Sequence, residues 1–406
     1  VDVGDELELE VSNVAHGGVM VGRHEGRVVF VADAIPGERV RARIGEVKKS
    51  FARADTLEVL DASPHRQEHV WSAASVDRAP ADRAGGAEFG HIDLTHQRDL
   101  KRHVLEDSLK RFGGVETDVT VQPLPGDDEH RGLHWRTRVT LHVDDDGRVG
   151  PYAARSHRVI AVSDLPLATE AVERTAPLTE RFPGTDQIGV LEPSEGGARL
   201  IIGKQSPSTI VERVGEREFR LDDGGFWQVH RHAASVLSKA VQEAIDDATF
   251  DPRAANLDLY GGVGLLAAAV GDRFGPTTRI TTVESEERAT DHAAENLAEW
   301  VGAQAVTARV DRYLRDLLRT SSAGERDRLR RGTVVLDPPR SGAGKDVVAS
   351  LDELAPAQLV YVACDPVALS RDVGLLRERG WKLDGIRGFD LFPNTHHVEA
   401  VASLSK

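Results

Sequence analysis

Cys364, Asp337 and Glu399 are the residues whose chemistry this chain has to account for. Cys364 is the only cysteine. A lone cysteine closes no intrachain disulfide and ligates no cluster by itself. It is either a small buried hydrophobe, the usual fate of a free thiol, or a nucleophile, because a thiolate both attacks and leaves well. It stands in "YVACDPVALSRDV", after an apolar run and before Asp365-Pro366. Asp337 stands in "VVLDPPRSGAG", where two prolines make a rigid turn with few free N–H groups. Glu399 lies between Val398 and Ala400 in "HVEAVASL". A carboxylate buried and unpaired in an apolar strand is costly, so Glu399 is either salt-bridged or functional. His396 and His397, just before it, receive no role.

A second group of residues suits a nucleoside. "LDLYGGVGLLAAAV" reads as a strand, a Gly-rich turn and a helix start, and Gly261, Gly262 and Gly264 let backbone approach a ligand closely. The next strand ends in "TTVESEE", which places Glu284 26 residues after Asp258. An acidic residue there can accept both hydroxyls of a ribose. "GGVG" followed by Leu265 does not fit the dinucleotide spacing G-x-G-x-x-G. A mononucleoside cofactor without a pyrophosphate, S-adenosylmethionine, fits better. The competing reading is an ordinary strand-turn-helix with a surface glutamate. If the cofactor reading holds, Asp337 projects over the transferable methyl; otherwise its turn is merely stiff. Amino-group methylases place an aromatic residue after the two prolines. Arg340 stands there instead, which argues against amino methylation.

These residues need a scaffold that brings them together. From about residue 226, the buried runs "NLDLY", "ITTVE", "TVVLD" and "LVYVAC" alternate with helical stretches such as "ATDHAAENLAEWV". That pattern predicts a doubly wound parallel sheet. Ligands of such sheets bind beyond the carboxyl ends of the strands, where Glu284, Asp337 and Cys364 all fall. Residues 1–60 read as short strands with Gly-rich turns, a small closed OB-like barrel. Arg39, Arg41 and Arg43 share one face of a barrel strand, as a solvated face or as an RNA contact. Residues 61–225 form a central α+β region, with 61–95 as a linker. "THQRDLKRHVLEDSLKRFGG" predicts a helix capped by Thr95 and stopped by Gly113, with Leu100, Val104, Leu105, Leu109 and Phe112 on one face. Lys101 counts among its surface charges. Residues 119–225 predict an antiparallel sheet with one or two helices and no evident chemistry; "DDDG" at 144–147 is a hairpin tip.

Composition sets the limits. A chain of 406 residues exceeds one ordinary core, so two or three domains are expected. The net charge of −15 argues against coating nucleic acid wholesale but leaves room for a local basic groove. No apolar run reaches membrane-spanning length and no leader opens the chain. A cytoplasmic monomeric enzyme is the expectation.

Taken in order, "DLYGGVG", "VES", "LDPPRSG", "YVACDPVALSRDVGLL" and "HHVEAVA" resemble the RNA uracil-5-methyltransferase family. The barrel resembles the TRAM domain of many members, and "FWQVH" (226–230) resembles the family's Gln-bearing stretch. "GGAEFGHIDLTHQRDLKR" resembles its central segment, so the likeness covers nearly the whole chain. It implies a Rossmann-like methyltransferase domain at 226–406 and methylation of uridine C5 in RNA with S-adenosylmethionine. It assigns Cys364 as nucleophile and Glu399 as base. Gln228, Tyr260, Gly262, Glu284, Asp311 and Asp337 become cofactor contacts, with Asp311 the weakest match, and Arg340 becomes structural support. Three departures stand out. Ala84 and Ala87 replace cysteines that hold an iron–sulfur cluster in many relatives, so no cluster and no metal are expected here. Asp365 replaces a usual Asn, and an extra carboxylate beside the thiol disfavours the thiolate unless it is turned away or paired. Leu265 stands where an Asn is common. Relatives methylate ribosomal RNA or the T-loop of transfer RNA; the barrel points to ribosomal RNA, the 23S species. Two rivals are a cytosine-5 methyltransferase, disfavoured because its thiol would sit in the "DPPR" loop, and a non-catalytic RNA-binding factor.

Overall fold

The computed structural model describes residues 1–406. Five strands open the chain: β1 (Glu6–Val14), β2 (Met20–His24), β3 (Arg27–Ala32), β4 (Arg39–Val47) and β5 (Phe51–Asp61). They close into a barrel in the order β1-β2-β3-β5-β4. Alternation drives the closure: Leu9, Val11, Val29, Val31, Val40, Ala42, Ala52 and Ala54 point inward and are buried. The arginines at 39, 41 and 43 do share an outer face, and each is paired across the strands. Arg39 meets Glu8 and Asp61, Arg41 meets Glu6 and Glu58, and Arg43 meets Glu6. That stripe is a neutralised, solvated face.

Helix α1 (Leu94–Ser108) comes next; before it, Trp71, Ala84 and Ala87 pack into the central core and Phe89 and Ile92 into the barrel core, so this stretch is packed rather than a free linker. Its N-cap is Asp93, whose side chain accepts from the His96 N–H, and not the expected Thr95. Asp93 wins because a carboxylate two positions earlier meets the free N–H groups of the first turn. The helix ends in a π-turn through Gly113, and Gly114, at φ 63°, reverses the chain. Two expectations fail on this helix. Phe112 is 49% exposed, because the π-turn rotates it off the apolar face. Lys101 is buried and ion-paired to Asp390.

The central region holds β6 (Val121–Gln122), β7 (Arg138–Val143), β8 (Val149–Gly150), α2 (Glu170–Thr175), β9 (Gln187–Leu191) and β10 (Arg199–Ile202). β10-β9-β7-β8 is the expected antiparallel sheet, with residues 144–147 forming the tip between β7 and β8. Ala84 and Ala87 are buried in its core beside Trp71, Ala153 and Leu165. A separate hairpin pairs β11 (Thr209–Val214) with β12 (Arg217–Asp222).

The final sheet is built from β13 (Asn256–Leu259), β14 (Ile280–Glu284), β15 (Ala303–Thr307), β16 (Thr333–Leu336), β17 (Gln358–Ala363), β18 (Lys382–Phe389) and β19 (Glu399–Ser405). Between them run α3 (Ala233–Ala244, before β13), α4 (Leu265–Phe274), α5 (Glu287–Asn296), α6 (Val310–Thr320), α7 (Ala323–Arg330), α8 (Gly344–Leu354) and α9 (Pro366–Arg377). The order is β15-β14-β13-β16-β17-β19-β18, parallel except for β19, with β6 added at the β18 edge. Every residue of β13, β16 and β17 is buried, as a sheet covered on both faces requires. One sheet face packs on α3 and α4, the other on α6, α8 and α9.

Candidate functional site

The carboxyl edge of this sheet collects the chemistry. Tyr260, the residue after β13, is held at φ 62°, and the chain turns through Gly261 into α4. Gly261 is required by packing: a Cβ there would lie 1.9 Å from Thr282 Oγ1 and 2.5 Å from Asp258 Oδ2. Gly262 is required by conformation, at φ 53°, and a Cβ there would meet nothing within 4 Å. Its open side leaves room beside the turn. Glu284, ending β14, accepts from the N–H groups of Gly262, Ser285 and Glu286, so its carboxylate is fixed at the edge. Asp258 is fully buried; Oδ2 accepts from Thr282 Oγ1 and Oδ1 has no partner. Burial raises its carboxyl to about 6. An orphaned acceptor, an open glycine and a fixed carboxylate together fit a small cofactor with hydroxyl and ammonium donors. Asp311 lies near Tyr260, whose hydroxyl is pushed up to about 12 by burial and then by Asp311. Asp311 itself is paired to Arg309 and Arg315.

Asp337 follows β16, and its N–H is tied to Leu259 O at 3.2 Å. Burial, then Asp258, raises its carboxyl to about 7. The loop beyond it is anchored by Asp372 of α9, which accepts from the Ala343 N–H at 2.7 Å and from the Tyr361 hydroxyl at 2.6 Å. This anchor fixes the path of the exposed Arg340, whose guanidinium has no carboxylate partner.

Cys364 is the first residue after the buried β17. Its thiol is pushed up to about 12 by burial, then by Glu399 and Asp337; Arg340 opposes them and Asp365 adds to them. Asp365 caps α9: its Oδ1 accepts from the Ala368 N–H at 2.8 Å, and Pro366 starts the helix. The extra carboxylate is therefore turned toward the helix N-terminus, where negative charge is favoured. Glu399 starts β19 opposite Phe389 and is 5% exposed. Burial and Asp337 hold its carboxyl well above the usual range, and Arg340 lowers it. Glu399 has no ion-pair partner at salt-bridge distance, so the salt-bridged alternative does not apply. Cys364, Asp337, Arg340 and Glu399 thus act on one another within one site. α1 secures the loop before β19: Gln97 and Asn394 exchange hydrogen bonds at 2.8 and 2.9 Å, and Lys101 reaches Asp390 and Phe392 O.

Gln228 follows Trp227 in the stretch after β12. It lines a cleft of about 220 Å³ with Glu192, Arg231 and Ser235. A feature that sequence reasoning missed lies in the central region. A cleft of about 510 Å³ is lined by Arg136, Arg138, Trp71, Phe226 and Trp227. Arg138 pairs with Glu212, whereas Arg136 forms no ion pair; it lies close enough to Arg340 to feel its charge. Phe226 is 77% exposed. The visible signal was two arginines in "HWRTRV" and adjacent aromatics in "GGFWQ". No group of three or more His, Cys, Asp or Glu side chains is arranged to hold a metal ion, and no helix is long and apolar enough to cross a membrane.

Strand order and edge chemistry define an S-adenosylmethionine-dependent methyltransferase. The TRAM domain profile matches residues 1–57, and the profile described as tRNA (Uracil-5-)-methyltransferase matches residues 211–406. An uncharacterized RNA methyltransferase of Streptomyces avermitilis is 37% identical, covering 99% of this chain and 98% of the relative. One from Streptomyces coelicolor is 36% identical over 99% of this chain and 93% of its own length. The tRNA (uracil-54, C5)-methyltransferase of Pyrococcus abyssi, solved with S-adenosyl-L-homocysteine, shares the fold at TM-score 0.70 and 21% identity, covering 98% of this chain and 99% of that one. The chain belongs to the TRAM-bearing RNA uracil-5-methyltransferase family.

Proposed function

We propose that the protein forms 5-methyluridine in RNA, with Cys364 as nucleophile and Glu399 as base. The observation that carries this reading is the pairing of Ala363 with Ala400 across β17 and β19, which puts Cys364 beside Glu399 at the sheet edge, with Asp337 following the neighbouring β16. Uracil C5 is a weak nucleophile. Bonding of the Cys364 sulfur to C6 pushes electron density onto C5. S-adenosylmethionine, when bound, supplies an electrophilic methyl group. Gln228, Tyr260, Gly262, Glu284, Asp311 and Asp337 are the residues we propose would hold it. Glu399 takes the C5 proton, and the sulfur–C6 bond then breaks to restore the thiolate. A carboxyl raised above its ordinary range is the stronger base once ionised. Arg340 favours the thiolate and the carboxylate together.

The uridine must leave its stack to reach the sulfur, so single-stranded or loop RNA is the favoured substrate. The cleft of Arg136, Arg138, Trp71 and Phe226 supports a grip on flanking nucleotides. Ribosomal RNA, the 23S species, is the first target to test, in a cytoplasmic setting. A transfer RNA T-loop is the second. The Pyrococcus abyssi tRNA enzyme aligns across the barrel as well, so the barrel does not choose between them.

Cys364→Ala is expected to abolish 5-methyluridine while leaving cofactor binding intact; full turnover by this variant overturns the assignment. Glu399→Gln is expected to accumulate a covalent RNA adduct. Uridine against cytidine substrates separates this chemistry from cytosine methylation. The RNA that loses 5-methyluridine in a deletion strain identifies the target.

A further inference from the structure

We infer that His16, in the barrel loop between β1 and β2, is a positioning residue for Cys364, holding the neighbouring Asp365 carboxylate off the sulfur. The argument starts from the two oxygens of Asp365. Oδ1 accepts from the Ala368 N–H, as a helix cap. Oδ2 has a different partner: the His16 Nε2, 3.2 Å away, brought from the other end of the chain. The side chains are 45% and 22% exposed, so the contact sits at the mouth of the site.

The barrel loop is built to reach this place. Gly17 and Gly18 take φ of 85° and 75°, a tight reversal that other residues resist. Gly18 packs so closely on His396 that a Cβ would lie 2.5 Å from the His396 Cβ. Val14 to Gly18, Arg340, Cys364, Asp365 and His397 wall one cavity of about 120 Å³. The barrel thus forms part of the wall around the thiol.

The charges facing that thiol come from every side. Glu399 lies on β19, Asp337 and Arg340 follow β16, Lys101 comes from α1, and His396 and His397 precede β19. Three carboxylates, Glu399, Asp337 and Asp365, disfavour the thiolate, and Arg340 is the cation that favours it. Asp365 is the residue adjacent to the thiol. With both oxygens engaged it cannot turn toward the sulfur. Without His16, Oδ2 is free to do so. His16 therefore couples the seating of the barrel to the readiness of the nucleophile.

The catalytic meaning of this contact rests on the reading of Cys364 as nucleophile, but its test does not. Cys364 is the only cysteine, so the alkylation rate of the whole protein by iodoacetamide reports this thiol alone. His16→Ala should slow alkylation by about two- to fivefold and raise the pH midpoint, the range one exposed polar contact spans. His16→Gln, which keeps an N–H donor, should recover most of the rate. Asp365→Asn removes the carboxylate, and adding His16→Ala to it should then change nothing. The inference is overturned if His16→Ala alkylates as the parent does. It is equally overturned if the loss persists in the Asp365→Asn background, which would mark a general role in docking the barrel. Failure of Cys364→Ala to abolish methylation would sink the nucleophile reading and leave this result standing.

Discussion

Gly261 and Gly262 are adjacent, yet substitution by alanine should damage different things. At Gly261 the added methyl meets Thr282 Oγ1 at 1.9 Å and Asp258 Oδ2 at 2.5 Å. Both neighbours are buried, at 1% and 0% exposure, and they hydrogen-bond to each other at 2.9 Å. To admit the methyl this bond must break. Losing a buried hydrogen bond to a carboxyl costs about 1.5–3 kcal/mol. Forcing a methyl into a packed core adds about 1–3 kcal/mol. Gly261→Ala should therefore lose about 3–5 kcal/mol, or roughly 10 °C in a domain of this size. At Gly262 the methyl meets nothing within 4 Å, and the strain is the φ of 53°. That costs about 1 kcal/mol of stability. The empty side, however, is where a ligand must approach. Gly262→Ala should weaken S-adenosylmethionine binding by about tenfold or more, equivalent to about 1.4 kcal/mol. Urea unfolding and titration calorimetry on both variants separate the effects. If Gly262→Ala binds the cofactor as the parent does, the turn is not the cofactor edge. If Gly261→Ala loses less than about 1 kcal/mol, the packing argument is wrong.

Three further outcomes are expected. Lys101→Met strands a buried Asp390 and should cost about 3–5 kcal/mol in urea unfolding, whereas the double change with Asp390→Leu should recover most of it. Arg340→Gln should raise the pH midpoint of Cys364 alkylation, because Arg340 is the cation that lowers this thiol; an unchanged midpoint would show that its exposure screens it fully. The Asp222 carboxyl is held at about 2 by hydrogen bonds from Arg288 and then His292. A depressed carboxylate stabilises the fold above its ordinary value of 3.8 and loses that effect as pH falls toward 2. Asp222→Asn should thus be less stable than the parent at neutral pH, and the two should converge in thermal melts at the acid end of that window.

Periodicity made the barrel and the doubly wound sheet legible, because each strand's burial follows from its own residues. The edge position of Glu284, Asp337 and Cys364 followed from the same pattern, since each ends or follows a buried run. What stayed hidden depends on partners far away in sequence. Lys101 looks like a surface charge on α1 because its counter-ion, Asp390, is 289 residues away. Val121 and Gln122 are too few to read as a strand, and they pair only because β18 offers a free edge. The stretch holding Gln228 is anchored two residues on, where the buried His230 meets Asp127, 103 residues away in sequence. The barrel arginines could not be judged without the carboxylates opposite them on β1 and β5.

The long-range contacts converge on one point. α1 holds the loop before β19 through Gln97 and Lys101, and it packs against the barrel through Leu100 and Val104. The barrel loop in turn reaches Asp365 beside the thiol. A rigid sheet edge sets Cys364, Asp337 and Glu399, while elements from outside the sheet enclose them. This division has a chemical reason. Burial and the carboxylates around it push the Cys364 thiol up, so its reactivity depends on the charges nearest it. Two of these, Arg340 and the Asp365 carboxylate, lie on exposed or half-buried positions at the mouth. Charge at the mouth, unlike the buried Glu399, can therefore be altered without disturbing the sheet that sets the thiol.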